Sequence, residues 1–189
     1  MKSIQERILR DGHVIGEDIL KVDSFLNHQI DVLFLREFAA GAKEFFASAQ
    51  VDKVLTIETS GIAVAYALSE AFGDVPLVFA KKTKSKTVDE NVFKTLVKSF
   101  TRGTVSEVTV AKKYLRPGER ILIADDFLAE GSAAMGLLDL IRQAGAIPVG
   151  AAIVIEKAFQ GGHARLEGEG VPVFAGASIR AFKDGKPVF

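Results

Sequence analysis

The stretch ILIADDFLAEGSA, from Ile121 to Ala133, decides the fold. Four apolar residues lead into Asp125 and Asp126, so Arg120–Asp126 is predicted as a buried strand that ends on two carboxylates. A loop of small residues follows, and Ser132–Ala144 is predicted as a helix. In open α/β sheets, ligands bind beyond the carboxyl ends of the strands, so this junction is the first candidate for a site.

The residue types at this junction suit a sugar phosphate. The start of a helix offers unpaired N–H groups and a positive dipole, so a phosphate is predicted on Ala129–Ala133. Gly131 allows close backbone approach, and Ser132 adds a hydroxyl donor. Asp125 and Asp126 accept hydrogen bonds from hydroxyls or hold a hydrated divalent metal. Together they predict a ribose 5-phosphate cradle; the alternative is an ordinary strand and helix with capping carboxylates.

Strands and helices alternate on both sides of this stretch, which is typical of a parallel sheet with crossover helices. A short helical arm is predicted at the N-terminus, where Ile4, Ile8 and Leu9 share one face. The remaining predicted helices are Arg36–Phe46 and Gly61–Phe72. A glycine ends the second of these at Gly73, and Gly145 ends the helix Ser132–Ala144 in the same way. The remaining predicted strands are Lys53–Ile57, Pro76–Ala80, Ile147–Ile155, Val171–Ala175 and Ile179–Phe182.

The middle of the chain breaks the alternation. Lys81–Thr87 places four lysines within six residues, with polar neighbours and no apolar period, and a solvated loop is the alternative to a role at the site for Lys84 and Lys86. Val92–Phe100 and Val105–Ala111 favour strands, and with Thr101–Thr104 between them they predict an antiparallel ribbon. Such an insertion often overhangs a site as a flap. Arg116–Glu119, with Pro and Gly at its centre, predicts a type II turn.

Composition excludes several classes of protein. The 24 Lys and Arg residues balance the 24 Asp and Glu residues, which disfavours general binding of nucleic acid or anionic membrane. The absence of cysteine excludes thiol catalysis and disulfides. The longest weakly polar run, Ala144–Ile155, is far shorter than the roughly 20 apolar residues of a membrane span, so we expect a soluble, cytoplasmic protein. Phosphate-binding P-loop and dinucleotide motifs are missing, and no histidine pair has metal-binding spacing.

ILIADDFLAEGSA resembles the motif of the type I phosphoribosyltransferases, which bind 5-phosphoribosyl 1-pyrophosphate (PRPP). ETSGIA (Glu58–Ala63) resembles their pyrophosphate loop, and by that resemblance a non-proline cis peptide is expected between Thr59 and Ser60. Lys81 and Lys82 follow the predicted Pro76–Ala80 strand, near where the family places a basic pyrophosphate contact that is sometimes donated across a dimer. Glu130 departs from the pattern, because family members commonly carry a small or hydroxyl residue there.

The resemblance implies a type I phosphoribosyltransferase fold in the α/β class. A single domain, residues 1–189, would hold a mainly parallel twisted sheet flanked by helices, with the antiparallel flap and a small hood from about residues 1–35 and 157–189. Asp125 and Asp126 would be catalytic. Mg²⁺ would be held mainly by PRPP and water, without direct protein ligands, and a homodimer is the default. The implied PRPP-binding residues are Ala129, Glu130, Gly131, Ser132, Ala133, Thr59, Ser60, Gly61 and Lys81.

Two further segments, KVDSFLNHQID (Lys21–Asp31) and VIEKAFQGG (Val154–Gly162), resemble the xanthine-specific bacterial members of this family. That resemblance implies transfer of phosphoribosyl from PRPP to xanthine, with Leu20 and Asn27 bordering the purine and Lys157 bonding its exocyclic oxygen. A lysine suits 6-oxo purines because it only donates hydrogen bonds, although a lysine at a strand end can also be an ordinary surface residue. Phe159 is expected either to stack on the base or to fill the core.

Other readings stay open at this point. The base can be guanine or hypoxanthine or, more remotely, adenine or orotate. The same fold can also serve as a non-catalytic sensor of PRPP or purines. Such regulators usually add a DNA-binding domain, and only about 50 residues precede the first predicted sheet strand. The neutral charge also disfavours nucleic-acid binding.

Overall fold

The main sheet forms because short apolar runs alternate with amphipathic helices along the chain. The computed structural model describes residues 1–16, 18–83, 91–98 and 105–189. Its helices are α1 (Lys2–Asp11), α2 (Val32–Phe45), α3 (Gly61–Ala71), α4 (Ser132–Gln143) and α5 (Gly162–Gly168). Its strands are β1 (His13–Ile15), β2 (Ile19–Lys21), β3 (Lys53–Ile57), β4 (Leu77–Thr83), β5 (Val92–Lys98), β6 (Val105–Ala111), β7 (Arg120–Leu128), β8 (Ile147–Lys157), β9 (Val173–Ile179), β10 (Ala181–Lys183) and β11 (Lys186–Val188).

Seven strands form the main sheet in the order β5-β6-β4-β3-β7-β8-β9. The five strands from β4 to β9 are mutually parallel, as predicted, and β6 and β5 continue the sheet in antiparallel pairing. The chain runs from β3 outward to β4 and later returns to place β7 on the other side of β3. Because the winding direction reverses there, the carboxyl ends of β3 and β7 flank the crevice where such sheets bind ligands.

An apolar layer covers each face of the sheet, which explains why every residue of β3 is buried. On one face, helices α2 and α3 pack through residues such as Phe38 and Leu68. On the other face, α4 packs through Leu137 and Ile141. Helix α1 joins the first layer through Ile4 and Ile8, whereas the third residue predicted for its apolar face, Leu9, is exposed.

Most predicted strands and helices are confirmed, with shifted ends. β3 has the predicted bounds, but β7 and β8 each continue two residues further than expected, because Phe127 pairs with Ile155 and Leu128 with Glu156. Helix α2 starts at Val32, since the Asp31 side chain accepts a hydrogen bond from the Phe34 N–H at 3.1 Å and caps it there. The predicted Arg116–Glu119 turn is present, with Gly118 at φ +78°.

The strand that was predicted to end at Ala80 continues further along the chain. Lys81, Lys82 and Thr83 extend β4, where they pair antiparallel with β6. The ribbon of β5 and β6 is confirmed, and it packs on α4 where Gly136 leaves room for Val97. The rest of the lysine run, residues 84–87, and the joining turn, residues 101–104, lie outside the described residues.

Several short elements had no recognisable signal in the sequence. They are the β1–β2 hairpin, a π-helical turn at Asp23–Asn27, helix α5 and the β10–β11 hairpin. In the last hairpin, the predicted strand Ile179–Phe182 overlaps β10. Their individual strands and helices are three to seven residues long, which is too short for a hydrophobic period to be recognised. Among the residues described, every helix is too short or too polar to cross a lipid bilayer.

Candidate functional site

A cavity of about 640 Å³ opens at the carboxyl ends of β3 and β7, the crevice that the sheet topology favours. It brings together segments that lie far apart in the chain: the end of β3, the end of β7 with the loop after it, the end of β8, and the N-terminal hairpin. Of the residues singled out from sequence, those lining it are Leu20, Asn27, Thr59, Ser60, Asp125, Asp126, Ala129, Glu130, Gly131, Ser132, Ala133 and Lys157.

The loop at Ala129–Ala133 has the geometry of an anion site. Gly131 adopts φ +82° at the N-cap of α4, a conformation that glycine reaches without steric cost. Its carbonyl accepts the first helical hydrogen bond, from the Met135 N–H at 2.8 Å. The N–H groups of Glu130 through Ala133 find no acceptor among the other described residues. The loop therefore presents unpaired donors at the positive end of a helix dipole.

Asp125 and Asp126 lie inside β7 near its end and are both buried, at 6% and 7% exposure. The Asp126 N–H donates to Asp125 Oδ1 at 2.9 Å, and the Asn27 amide reaches Asp126 Oδ2 at 3.5 Å. Burial and then the charge of the adjacent Asp126 raise the pKa of Asp125 well above its usual value. Two acceptors held this close without a fixed cation favour a ligand that supplies hydroxyl donors or positive charge.

The loop after β3 differs from the prediction in one respect. The non-proline cis peptide joins Glu58 to Thr59, one bond earlier than expected. Ser60, the next residue, has helical dihedral angles at the start of α3. Gly61 then packs so closely that a Cβ there would lie 2.1 Å from Thr56 Oγ1 and 3.1 Å from Asp125 Oδ1. The pyrophosphate loop predicted from sequence thus lies directly against the carboxylate pair.

The lysine at the cavity is Lys82 rather than Lys81. Because β4 continues through both residues, their side chains point to opposite faces of the strand, and only Lys82 lines the cavity. Its backbone N–H donates to Glu58 Oε1 at 2.7 Å, which ties β4 to the loop after β3. The positive charge of Lys82 acts on Asp125 in the direction that favours the ionised carboxylate.

The end of β8 supplies Lys157, which is 9% exposed in spite of its charge. Its ammonium group donates to the backbone carbonyl of Asp18 in the hairpin turn. Burial lowers the pKa of Lys157, and the charge of Asp18 partly opposes this effect. Phe159, expected either on the base or in the core, is 46% exposed and packs edge-to-face on Phe182 at 5.9 Å between ring centroids.

Several lining residues escaped the sequence analysis, among them Ile19 on β2 and Val97, Lys98 and Ser106 on the ribbon. Nothing in their local sequence marks them, because β-pairing brings them to the site. Phe127 also lines the cavity, and its place directly after the two aspartates was a usable signal.

Asp125 and Asp126 are the adjacent buried carboxylates of the cavity, and carboxylate oxygens suit a divalent cation. No group of three or more His, Cys, Asp or Glu side chains is arranged for a metal within residues 1–16, 18–83, 91–98 and 105–189. Asp125 and Asp126 fit Mg²⁺ as outer ligands, since that ion keeps several of its waters and takes few carboxylates from the protein.

Comparison with known proteins gives three concordant findings. A family model described as phosphoribosyl transferase domain matches residues 21–167. The xanthine phosphoribosyltransferase of Clostridioides difficile (strain 630) is 53% identical over 189 residues, and that of Laribacter hongkongensis (strain HLHK9) is 50% identical over 189 residues. Both alignments cover 100% of this chain and 100% of the relative.

Among solved structures, the chain resembles adenine phosphoribosyltransferases. The enzyme from Trypanosoma brucei, in complex with AMP, pyrophosphate and ribose-5-phosphate, superposes with a TM-score of 0.76 at 14% identity, covering 97% of this chain and 83% of that one. The enzyme from Rhodothermus marinus DSM 4252 superposes with a TM-score of 0.75 at 23% identity, covering 95% and 100%. At these identities the likeness concerns the fold.

Proposed function

The chain belongs to the phosphoribosyltransferase family, and we propose that it is a purine salvage enzyme that transfers the 5-phosphoribosyl group of PRPP to xanthine. The products are xanthosine 5′-monophosphate and pyrophosphate. The carrying observation is that one cavity joins an anion-binding loop, a buried carboxylate pair and a buried lysine. Full-length similarity to xanthine phosphoribosyltransferases supports the choice of base.

The loop Ala129–Ala133 holds the 5-phosphate through its N–H groups, and Asp125 and Asp126 accept hydrogen bonds from the ribose hydroxyls. The bond from the anomeric carbon to pyrophosphate breaks as a purine ring nitrogen bonds to that carbon, and the proton on that nitrogen passes to the departing pyrophosphate. The transition state resembles an oxocarbenium ion, as in other glycosyl transfers, so no protein nucleophile is required. The main task of the site is to hold both reactants in line.

Thr59, Ser60 and Gly61 at the start of α3 face the pyrophosphate. Lys82 stands at the cavity and adds positive charge beside the departing group. Lys81 points to the other face of β4, where it would contact the pyrophosphate of a neighbouring subunit within a dimer.

The base lies between the hairpin and the end of β8, bordered by Leu20 and Asn27, with the Lys157 ammonium on its exocyclic oxygen. An ammonium has three donors, so Lys157 can keep its bond to Asp18 while it binds the base. Its positive charge also favours the partly anionic form of xanthine over a neutral purine.

Mg²⁺ bound to PRPP neutralises the charge that develops on pyrophosphate. In this chain, Asp125 and Asp126 orient the waters and hydroxyls around that ion without binding it directly. The ribbon of β5 and β6 acts as a flap that limits access of water, and the β1–β2 and β10–β11 hairpins form the hood of a single domain. The reaction takes place in the cytoplasm, because a multiply charged co-substrate does not cross a membrane.

The enzyme works as a homodimer, with no nucleic acid or membrane partner. Helices α2 and α3 leave a groove of about 930 Å³ whose lining includes the exposed apolar residues Ile30, Val32 and Tyr66. Apolar patches of this kind mark interfaces, and two-fold dimers are the commonest closed oligomers. The groove shares Thr59 and Ser60 with the catalytic cavity, so a second copy seated there lies beside the pyrophosphate end.

The test is nucleotide formation from purified protein with PRPP and xanthine, with and without Mg²⁺. Equal amounts of xanthosine 5′-monophosphate and pyrophosphate, formed only with the metal, are expected. A protein that binds PRPP but forms no nucleotide with any purine would instead be a sensor, and the proposal would be wrong.

A further inference from the structure

Helix α5, which was not predicted from the sequence, packs against the anion-binding loop Ala129–Ala133 on the side away from the cavity. The Gly162 N–H donates to the Ala129 carbonyl at 3.0 Å, and one turn later Arg165 Nη1 donates to the Glu130 carbonyl at 2.6 Å. Two consecutive carbonyls of the loop are therefore fixed by one short helix. Neither Gly162 nor Arg165 lines the cavity, so both act through the loop and do not touch a ligand.

The two hydrogen bonds to the Ala129 and Glu130 carbonyls also fix the direction in which the N–H groups of the loop point. In a trans peptide the C=O and the following N–H point in opposite directions. The cis bond between Glu58 and Thr59 is the only one in the described part of the chain, so the peptides after Ala129 and Glu130 are trans. Drawing the two carbonyls toward α5 consequently turns the N–H groups of Glu130 and Gly131 away from α5.

Close packing leaves this arrangement little freedom. A Cβ on Gly162 would lie 2.4 Å from the Ala129 carbonyl oxygen, and a Cβ on Gly131 would lie 3.1 Å from the Gly162 Cα. The helix is in turn tied to β8, because His163 Nδ1 lies 2.6 Å from Glu156 Oε2 and Glu156 is 5% exposed. The residue after Glu156 is Lys157, so one rigid segment joins the lysine to the anion-binding loop.

We propose that Arg165 is a positioning residue for the 5-phosphate: it fixes the Glu130 peptide so that the loop donors meet the phosphate of PRPP. This inference rests on the proposed function and deepens it.

The experiment compares Arg165→Ala, Arg165→Lys and the wild type by calorimetric binding of ribose 5-phosphate and, separately, of pyrophosphate. Loss of one charge-assisted hydrogen bond behind the loop should weaken ribose 5-phosphate binding about tenfold in Arg165→Ala, with an intermediate loss in Arg165→Lys. Pyrophosphate binding should not change, because that ligand belongs to the loop after β3. The KM for PRPP should rise by a similar factor, while kcat changes less than about twofold.

Arg142→Ala is the matched control. Arg142 also pairs with the end of α5, through Glu169 at 2.8 Å, but it lies away from the loop. The Arg142→Ala variant should bind ribose 5-phosphate and pyrophosphate like the wild type. Both alanine variants should keep the wild-type circular dichroism spectrum, because Arg165 and Arg142 are exposed.

Equal ribose 5-phosphate affinity in Arg165→Ala and the wild type would overturn the inference and leave the proposed function standing. An equal loss for pyrophosphate, or the same loss in Arg142→Ala, would show a general disturbance of the fold and would overturn it as well. A wild type that binds no ribose 5-phosphate and forms no nucleotide would instead remove the proposed function, and the inference with it.

Discussion

At the scale of single residues, Asp126 is the residue on which binding of the PRPP ribose depends most. It is buried, acidic and held by Asn27, and it has no cation of its own among the described residues. Asp126→Asn keeps the shape but loses an acceptor for a ribose hydroxyl. We expect kcat/KM for PRPP to fall about a hundredfold with an unchanged fold. Steady-state kinetics beside the exposed α4 variant Asp139→Asn tests this, and unchanged kinetics would contradict the role of Asp126.

Lys157 determines the preference for xanthine as the purine substrate. Lys157→Ala removes a charge-assisted hydrogen bond to the exocyclic oxygen, so kcat/KM for xanthine should fall about 10- to 100-fold. The KM for PRPP should stay near the wild-type value. The measurement is a full kinetic comparison with Lys183→Ala, an exposed lysine on β10, as the control. A variant with unaltered base preference would rule out this assignment.

His163 gives a pH dependence of stability. Partial burial lowers the pKa of His163, but hydrogen bonds and charges from Glu156 and Glu167 outweigh it, so the pKa lies above its usual 6.5. The stabilisation is complete below pH 6.5 and is lost as the pH rises through the raised pKa of the folded state. His163→Gln should therefore cost about 1 kcal/mol near pH 6 and less near pH 9.

Urea unfolding at the two pH values checks this, with His13→Gln on β1 as the control. A constant difference between wild type and His163→Gln at both pH values would show that the protonated histidine plays no part.

The residue scale also shows a limit of sequence reasoning. The aspartates, the glycine loop and Lys157 could be chosen from local sequence, because strand ends and helix starts are chemically distinctive. The choice between Lys81 and Lys82 could not, because it depends on how far β4 extends beyond its apolar run. That length is set by pairing with β6, a distant part of the chain.

At the scale of elements, α5 should respond to glycine substitutions in opposite ways. Gly162→Ala pushes a Cβ against the Ala129 carbonyl, so it should destabilise the fold by about 1–3 kcal/mol and raise the KM for PRPP. Gly168→Ala, in the same helix, meets open space and should be neutral or stabilise by up to about 1 kcal/mol. Thermal unfolding of the two variants decides the matter; equal effects would mean that contact with the loop is unimportant.

Elements with a clear period were predictable, and β3, α3 and α4 end within a residue or two of their predicted bounds. Helix α5 was missed because glycines at its first and last positions, Gly162 and Gly168, weaken any helical pattern over its seven residues. Gly162 is also the residue that lets the backbone approach the anion-binding loop. The feature that hid the helix is thus part of its proposed role.

At the scale of the whole molecule, the groove between α2 and α3 predicts self-association. Tyr66→Glu places a charge in the middle of the apolar face and should turn the dimer into a monomer. Leu96→Glu, on an equally exposed leucine of the edge strand β5, should leave the dimer intact. Sedimentation equilibrium of the two variants is the measurement, and a dimeric Tyr66→Glu variant would place the interface elsewhere.

The order of the sheet could be anticipated only in part. Alternating strands and helices indicated a parallel sheet, but the sequence does not state that β7 returns beside β3. That return creates the crevice and brings the two loops into one site. It is a property of the whole chain, which no local stretch of sequence specifies.

The most direct test of the account is competition between bases. The protein is given PRPP and Mg²⁺ with xanthine, guanine, hypoxanthine and adenine present together at equal low concentrations, and the nucleotides are separated and counted. The account predicts that xanthosine 5′-monophosphate forms in clear excess, and that the excess disappears in Lys157→Ala. A preference for another base would contradict the proposed specificity while keeping the chemistry, and no nucleotide at all would contradict both.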